Sequence, residues 1–277
     1  MKSKAIVVIM SRDRSDKQVT ISKLSDKILK NTYLAINRGE LKAYQDNNPG
    51  FKNIVTHSVQ GEGPTRKWIM DTFGPKCEHL YMLDDDMDFS VRKVPGSIKI
   101  TKCEPEDIDD MFKLLSSWLD SGFAQVGISS RGGNNRVEEE WVEISRVVGF
   151  HGYNVEKFLA SGARFDRIIT MLDFDVTLQL LRAGFPNRIS YKYCWGQKQS
   201  NSPGGCATYR TPSVMKEAAA ALAKLHTGFV TIDYHKKTKT GWGDGFGNER
   251  TDVVINWKAV YESFRASKRK PSKGFFK

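Results

Sequence analysis

Nowhere in its 277 residues does the chain carry an apolar run of membrane-spanning length, for which about 20 consecutive residues are needed. The first apolar stretch, Ala5–Met10, follows Lys2 and Lys4 in the manner of a leader peptide, but Ser11-Arg12-Asp13-Arg14 interrupts it at once. The expectation is therefore a protein that stays in the cytoplasm, with no membrane partner. Cysteine is scarce as well: Cys77, Cys103, Cys194 and Cys206 form no CxxC pair and match no common zinc spacing. They read as reduced thiols. No segment has the bias of a disordered region and no internal repeat is present.

What the chain has in excess is positive charge. The formal net charge is +11, with a basic cluster at Arg265, Lys268, Arg269, Lys270, Lys273 and Lys277. Such a surplus suits a polyanionic partner, because each neutralised phosphate releases a counterion. The length fits one large domain, and 39% hydrophobic residues suffice for a core.

The order of elements is that of an α/β nucleotide-binding half. Ala5–Met10 (AIVVIM) has the continuous apolar, β-branched character of a strand buried on both faces. The spacing of Ile21, Leu24, Ile28 and Leu29 predicts a helix over Val19–Ile36. Asn53–Val59 reads as a strand, Pro64 to Phe73 as a helix, and His79–Leu83 as a third strand. Further on, strands are expected at Ser97–Thr101, Ala124–Ser129, Glu143–Gly149, Tyr191–Trp195 and Phe229–Asp233. Helices are expected at Glu104–Ser121, Tyr153–Leu159, Asp175–Ala183 and Val214–Leu225. Ser200–Gly205 and Thr238–Asn248 read as polar, glycine-rich loops.

Asp84-Asp85-Asp86, with Asp88, follows the third strand directly. Ligands of open α/β sheets sit beyond the carboxyl ends of strands. Carboxylates this close repel one another unless a cation compensates them, and a hard ion such as Mg²⁺ or Mn²⁺ prefers oxygen donors. Asp84 and Asp86, alternate residues, would let one carboxylate reach the nucleotide and the other the metal. An acidic turn exposed to water is the plain alternative, and nucleases also use such clusters.

With Ala5–Met10 leading into Ser11-Arg12-Asp13-Arg14, Arg66 on a helix, and YMLDDDMD at Tyr81–Asp88, the first ninety residues resemble the nucleotide-binding half of GT-A glycosyltransferases. The resemblance implies a GT-A-like single domain, with a Rossmann-like nucleotide-binding half and a mixed central sheet. It assigns residues 1–90 to the nucleotide sugar, 91–262 to the acceptor and 263–277 to a basic tail. It implies a UDP-sugar donor on Mn²⁺ or Mg²⁺, with Ser11, Arg12, Arg14, Arg66, Asp84 and Asp85 around the nucleotide and Asp86 and Asp84 on the metal. His235, with His226 behind it, is the implied late histidine ligand.

Met171-Leu172-Asp173-Phe174-Asp175 opens a helix, where either aspartate can serve as N-cap. By the same resemblance Asp173 falls on the second residue of the xED motif of inverting GT-A enzymes and is the implied general base. Leu172 stands where that motif has glutamate. Trp195, Gln197 and His151 are candidates for the acceptor or sugar site; core packing is the alternative for Tyr193 and Trp195. More narrowly, MLDFDVTLQLLRAGFPN through GGCATYRT resembles phage DNA-base glycosyltransferases. These are the TET-associated glycosyltransferases and arabinosyltransferase-like relatives that decorate 5-hydroxymethylcytosine. The implied reaction moves a sugar from a UDP-sugar to a 5-hydroxymethylpyrimidine in hydroxymethylated duplex DNA. A polysaccharide or small-molecule acceptor, and a metal-dependent nuclease or nucleic-acid-binding protein, are the rivals. The oligomeric state is not legible.

Overall fold

The structure is a computed structural model that describes residues 2–133, 135–197, 209–237 and 249–269. The expected loops at Ser200–Gly205 and Thr238–Asn248, and Cys206, lie outside the described residues, as do the last eight residues. No described helix is long and apolar enough to cross a membrane.

One mixed sheet organises the chain. Its strands are β1 (Ser3–Met10), β2 (Thr32–Asn37), β3 (Ile54–His57), β4 (Cys77–Asp84), β5 (Asp88–Val91), β6 (Thr101–Lys102), β7 (Gln125–Ser130), β8 (Trp141–Glu143), β9 (His151–Asn154) and β10 (Asn187–Gly196). The order is β3-β2-β1-β4-β9-β7-β10-β5-β6, with β8 also on β10. The first four strands in space run parallel, β9 is antiparallel to both β4 and β7, and β5 and β6 are antiparallel additions. The mixed α/β fold expected from the sequence is present.

The pleat divides the core cleanly. Ile6 and Val8 of β1 and Leu80 and Met82 of β4 face one layer, while Val7, Ile9, Tyr81 and Leu83 face the other. The first layer is α3 (Glu62–Phe73), α5 (Val155–Ser161) and α6 (Leu172–Arg182). The second contains α2 (Leu41–Asn47) and α4 (Pro105–Asp120), beside the single turn α1 (Asp26–Leu29). A third core lies outside α6, where α7 (Pro212–Leu225), the hairpin β11–β12 (Val230–Lys237 and Glu249–Ile255) and α8 (Trp257–Arg269) bury Leu178, Leu181, Leu222 and Val260. Helix α8 thus carries ordered chain into the basic stretch.

Several expectations change. The helix expected over Val19–Ile36 is a 3-10 turn at Thr20–Lys23, the short α1 and strand β2. Val19 and Thr20 donate their backbone N–H groups to Asp85 O, which ends any helix there. Thr32–Asn37 then completes the sheet beside β1 with Leu34, Ala35 and Ile36 wholly buried. The strand expected over Glu143–Gly149 stops at Glu143, because Ile144 takes φ 54° and Gly149 φ 71°. Tyr153 belongs to β9 rather than to a helix; Asn154 caps the helix that follows by accepting from Lys157 N. Of Ser97–Thr101 only Thr101 is strand.

Neither Asp173 nor Asp175 caps α6. The helix starts after Met171, a non-glycine residue at φ 63°. The carboxylate of Asp175 is buried, 2.7 Å from His226 Nε2, with Gln179 Nε2 donating to its other oxygen at 2.9 Å. This pair ties α6 to the end of α7 and so holds the third core onto the sheet. We expect His226→Ala to strip the buried carboxylate of its closest partner and cost about 3 kcal/mol or more. In thermal unfolding that is a fall in Tm of roughly 6 °C or more.

Candidate functional site

The carboxyl ends of β1 and β4 meet where the sequence placed its ligand. Asp85 lies 3% exposed between them. Ser11 Oγ donates to its Oδ2, and Arg14 Nη1 donates to its Oδ1 at 2.9 Å. Ser11 Oγ in turn accepts from Gln18 Nε2 at 2.8 Å and lies 2.6 Å from the Tyr44 hydroxyl, so its bonding capacity is full. Asp85 is thus committed to holding the Ser11–Arg14 loop. Thr20 completes the clamp: its Oγ1 donates to Asp84 O at 2.6 Å and accepts from Met87 N at 2.9 Å.

Asp84 and Asp86 flank this knot and are only partly buried. Asp86 accepts from Arg14 Nη1 at 3.0 Å. Asp84 Oδ1 is 3.5 Å from Arg66 Nη2, which also lies 3.0 Å from Glu62 Oε1. Burial of the carboxyl works against the charge of Asp84 and pushes its pKa up to about 7; Arg66 opposes this, while Glu62, Asp86 and Asp85 add to it. Burial likewise raises the pKa of Asp86, against the pull of Arg14.

Arg66 is 4% exposed, and its Nη1 is buried with no hydrogen-bond partner among the described residues. Burial works against its charge, but Glu62 and Asp84 hold the pKa above the ordinary arginine value. A buried guanidinium donor left unmatched costs free energy unless an anion completes it. Glu62, the partner of Arg66, lines a cavity of about 600 Å³, together with Arg12, Gln60, Gly61, Arg167, Ile168 and Tyr209. That volume lies within the range of small-ligand sites, about 300–1,000 Å³.

On the far side of Arg66, His151 faces Met82 across β4 and β9. Burial, then the charges of Arg66 and Arg146, hold its pKa well below the usual value, so the imidazole is neutral. Arg146 Nε donates to Asp173 Oδ2 at 2.6 Å while its guanidinium stacks 3.5 Å above the Phe174 ring. Asp84 with Arg66 and Arg146 with Asp173 are thus two ion pairs whose guanidinium charges both bear on His151. The sequence pass did not single out Arg146 or Glu62. Arg146 sits two residues beyond the left-handed Ile144, and Asp173 two beyond the left-handed Met171. Asp13, the third non-glycine residue of this kind among the described residues, lies in the Ser11–Arg14 loop. Such backbone strain collects at functional sites.

Other expected site residues fall elsewhere. Trp195 is 6% exposed, donates Nε1–H to Val148 O at 2.9 Å and belongs to the core, so it offers no face to an acceptor. Tyr193 is core too. His151 is buried and lies beneath the site, whereas Gln197 is exposed at the end of β10. Arg12 is at the cavity. His235 is 82% exposed on the hairpin, paired with Glu249 at 3.1 Å, and His226 is taken by Asp175. Neither histidine joins Asp84 and Asp86 in a ligand cluster among the described residues.

Comparison with known proteins adds the following. The model of a family described as TET-Associated Glycosyltransferase matches residues 5–205. Beta-glucosyl-HMC-alpha-glucosyl-transferases of Enterobacteria phages T6 and T2 are each 24% identical over 198 residues, 65% of this chain and 67% of theirs. Among solved structures, S. aureus TarS 1-349 aligns with a TM-score of 0.47 and 14% identity. The alignment covers 79% of this chain and 65% of that one, so the chain spans a little under two thirds of TarS 1-349. GalNAc-T7 with UDP, GalNAc and Mn²⁺ aligns with a TM-score of 0.45 and 13% identity, over 71% of this chain and 44% of that one.

The raised pKa of Asp84 has a thermodynamic consequence in the ligand-free protein. A carboxyl that binds its proton more tightly when folded loses stability as pH rises from its unfolded value, 3.8, to about 7. We expect Asp84→Asn to raise Tm at pH 7.5 and to change it much less at pH 4, followed by unfolding scans across that range. A variant less stable than the parent at pH 7.5 would contradict the electrostatic reading of this carboxylate.

Proposed function

We propose, on the premise that the chain belongs to the TET-Associated Glycosyltransferase family, that it transfers a sugar from a UDP-sugar to a hydroxymethylated pyrimidine of DNA. The observation that carries the donor reading is the unmatched Nη1 of buried Arg66 beside Asp84. A diphosphate oxygen would complete that donor, and the adjoining cavity with Arg12 would take the nucleoside. Asp84 and Asp86 are hard oxygen donors with proton affinities raised by burial, a set that fits Mg²⁺ or Mn²⁺. Such an ion, when bound, would supply positive charge against the departing diphosphate. The chain's own part is the fixed guanidinium of Arg66, which meets charge growing on the leaving group in a site shielded from water.

On the acceptor side, Asp173 would take the proton from the attacking hydroxyl. Arg146, stacked on Phe174, fixes one of its oxygens and leaves the other for that task. The net charge of +11 favours the phosphates of DNA as acceptor scaffold. A base in the attacking position gives inversion at the anomeric carbon. The names of the T6 and T2 relatives favour a second reading, in which an alpha linkage forms on an already glucosylated HMC acceptor. Retention from an α-configured donor would then free Asp173 from the role of base.

Two measurements test this. Arg66→Lys keeps the charge but loses the planar fork, so UDP-sugar affinity should fall by about tenfold or more. Unchanged affinity in calorimetry would remove the diphosphate from Arg66. Asp173→Asn should bind donor normally and lower turnover by about a hundredfold. Near-parental turnover, with NMR showing the donor's own anomeric configuration in the product, would favour retention over the base mechanism.

A further inference from the structure

Arg131, the partner of Asp88, lines a second depression that contains none of the residues proposed for the donor or the base. It is a groove of about 600 Å³ lined by Lys99, Lys102, Arg131 and Arg136, with Ser97 and Ile98 among them. Its inner end is anchored at the site. Arg131 donates Nη2–H to Asp88 Oδ1 at 2.6 Å and to Ser90 Oγ at 3.0 Å, and its backbone N–H goes to Trp195 O at 2.7 Å. Its outer end is β6, the edge strand of the sheet.

The charge of this groove is one-sided. Four cations line it and no carboxylate does; the acidic run Glu138–Glu140 that follows Arg136 lies outside the lining. Lys99, Lys102 and Arg136 are exposed and, among the described residues, enter no salt bridge. Lys93, the neighbouring lysine, is by contrast already satisfied by Asp107 at 3.1 Å. Unpaired like charges gathered in a concave surface repel one another and focus an attractive field on an anion. The donor's diphosphate would have its own cation in Arg66. The groove is open and edged by the hydroxyls of Ser90, Ser97 and Thr101 and by Ile98 and Ile100, which suits a sugar–phosphate chain better than a single small anion.

We infer that this groove seats the phosphate backbone of the acceptor DNA, with Lys99, Lys102 and Arg136 as phosphate contacts and Arg131 leading the strand towards Asp88. The inference rests on the DNA acceptor proposed above and adds the surface that holds it. Lysines on an edge strand also discourage strand-to-strand aggregation, and the experiment separates the two roles.

The test is the salt dependence of binding to a short hydroxymethylated duplex, for the parent chain, for Lys99→Ala/Lys102→Ala, and for Lys236→Ala/Lys237→Ala on the hairpin. Each lost phosphate contact lowers the slope of log K against log salt by about 1. The groove variant should therefore bind with a slope shallower by about 2, while the hairpin variant keeps the parental slope. A groove variant with parental Tm and parental slope would overturn the assignment and leave the lysines to guard the sheet edge or meet an acidic protein. A shallower slope in the hairpin variant alone would move the contact there. Parent chain that shows no salt-dependent duplex binding would instead overturn the DNA acceptor itself, and the groove with it.

Discussion

The site depends on the burial of one negative charge. Asp85 is taken out of water between β1 and β4, and an uncompensated carboxylate there would cost several kcal/mol. Ser11 and Arg14 are drawn onto it, and its backbone carbonyl captures Val19 and Thr20. The loop after β1 and the turn after β4 are thereby one rigid object. Asp84 and Asp86 are presented from that object with their spacing fixed before any ligand arrives. The same knot explains why the chain after Val19 is not the helix its apolar spacing suggests.

The ion pairs Asp84–Arg66 and Arg146–Asp173 both bear on the buried, neutral imidazole of His151. Each guanidinium has a carboxylate, and burial keeps His151 uncharged. One buried donor of this set is unmatched among the described residues, the Nη1 of Arg66, and the proposed donor would complete it. In the proposed reaction, donor binding and acceptor activation would share this surface. Positive charge leads outward from it along the groove at β6.

Much of this was legible in the sequence because the strands here are buried on both faces. AIVVIM and HLYML are continuous apolar runs, and the aspartates could be placed at the end of the second; Arg66 was legible only through the family resemblance, on a helix. Thr32–Asn37 was not legible: TYLAIN is short, contains good helix formers, and becomes a strand only through pairing with β1. Trp195 misled for a related reason, since an indole before a glycine-rich loop has the composition of a binding site while its N–H is spent on Val148 O. His235 and Asp175 misled because their partners, Glu249 and His226, are far off in sequence. Arg146 was missed since a lone arginine in an apolar stretch carries no local signal; only the fold brings it to Asp173.

The central claim is that the two ion pairs and the basic groove serve glycosyl transfer to a modified DNA base. It is tested most directly by the mass of DNA recovered after incubation with UDP-sugars and a divalent cation. The acceptors would be plain, hydroxymethylated and glucosylated-hydroxymethyl duplexes. The account predicts a gain of one sugar residue on hydroxymethyl-bearing DNA, glucosylated or not, and none on plain DNA. Cleaved DNA, or UDP released with the mass of every duplex unchanged, would contradict it.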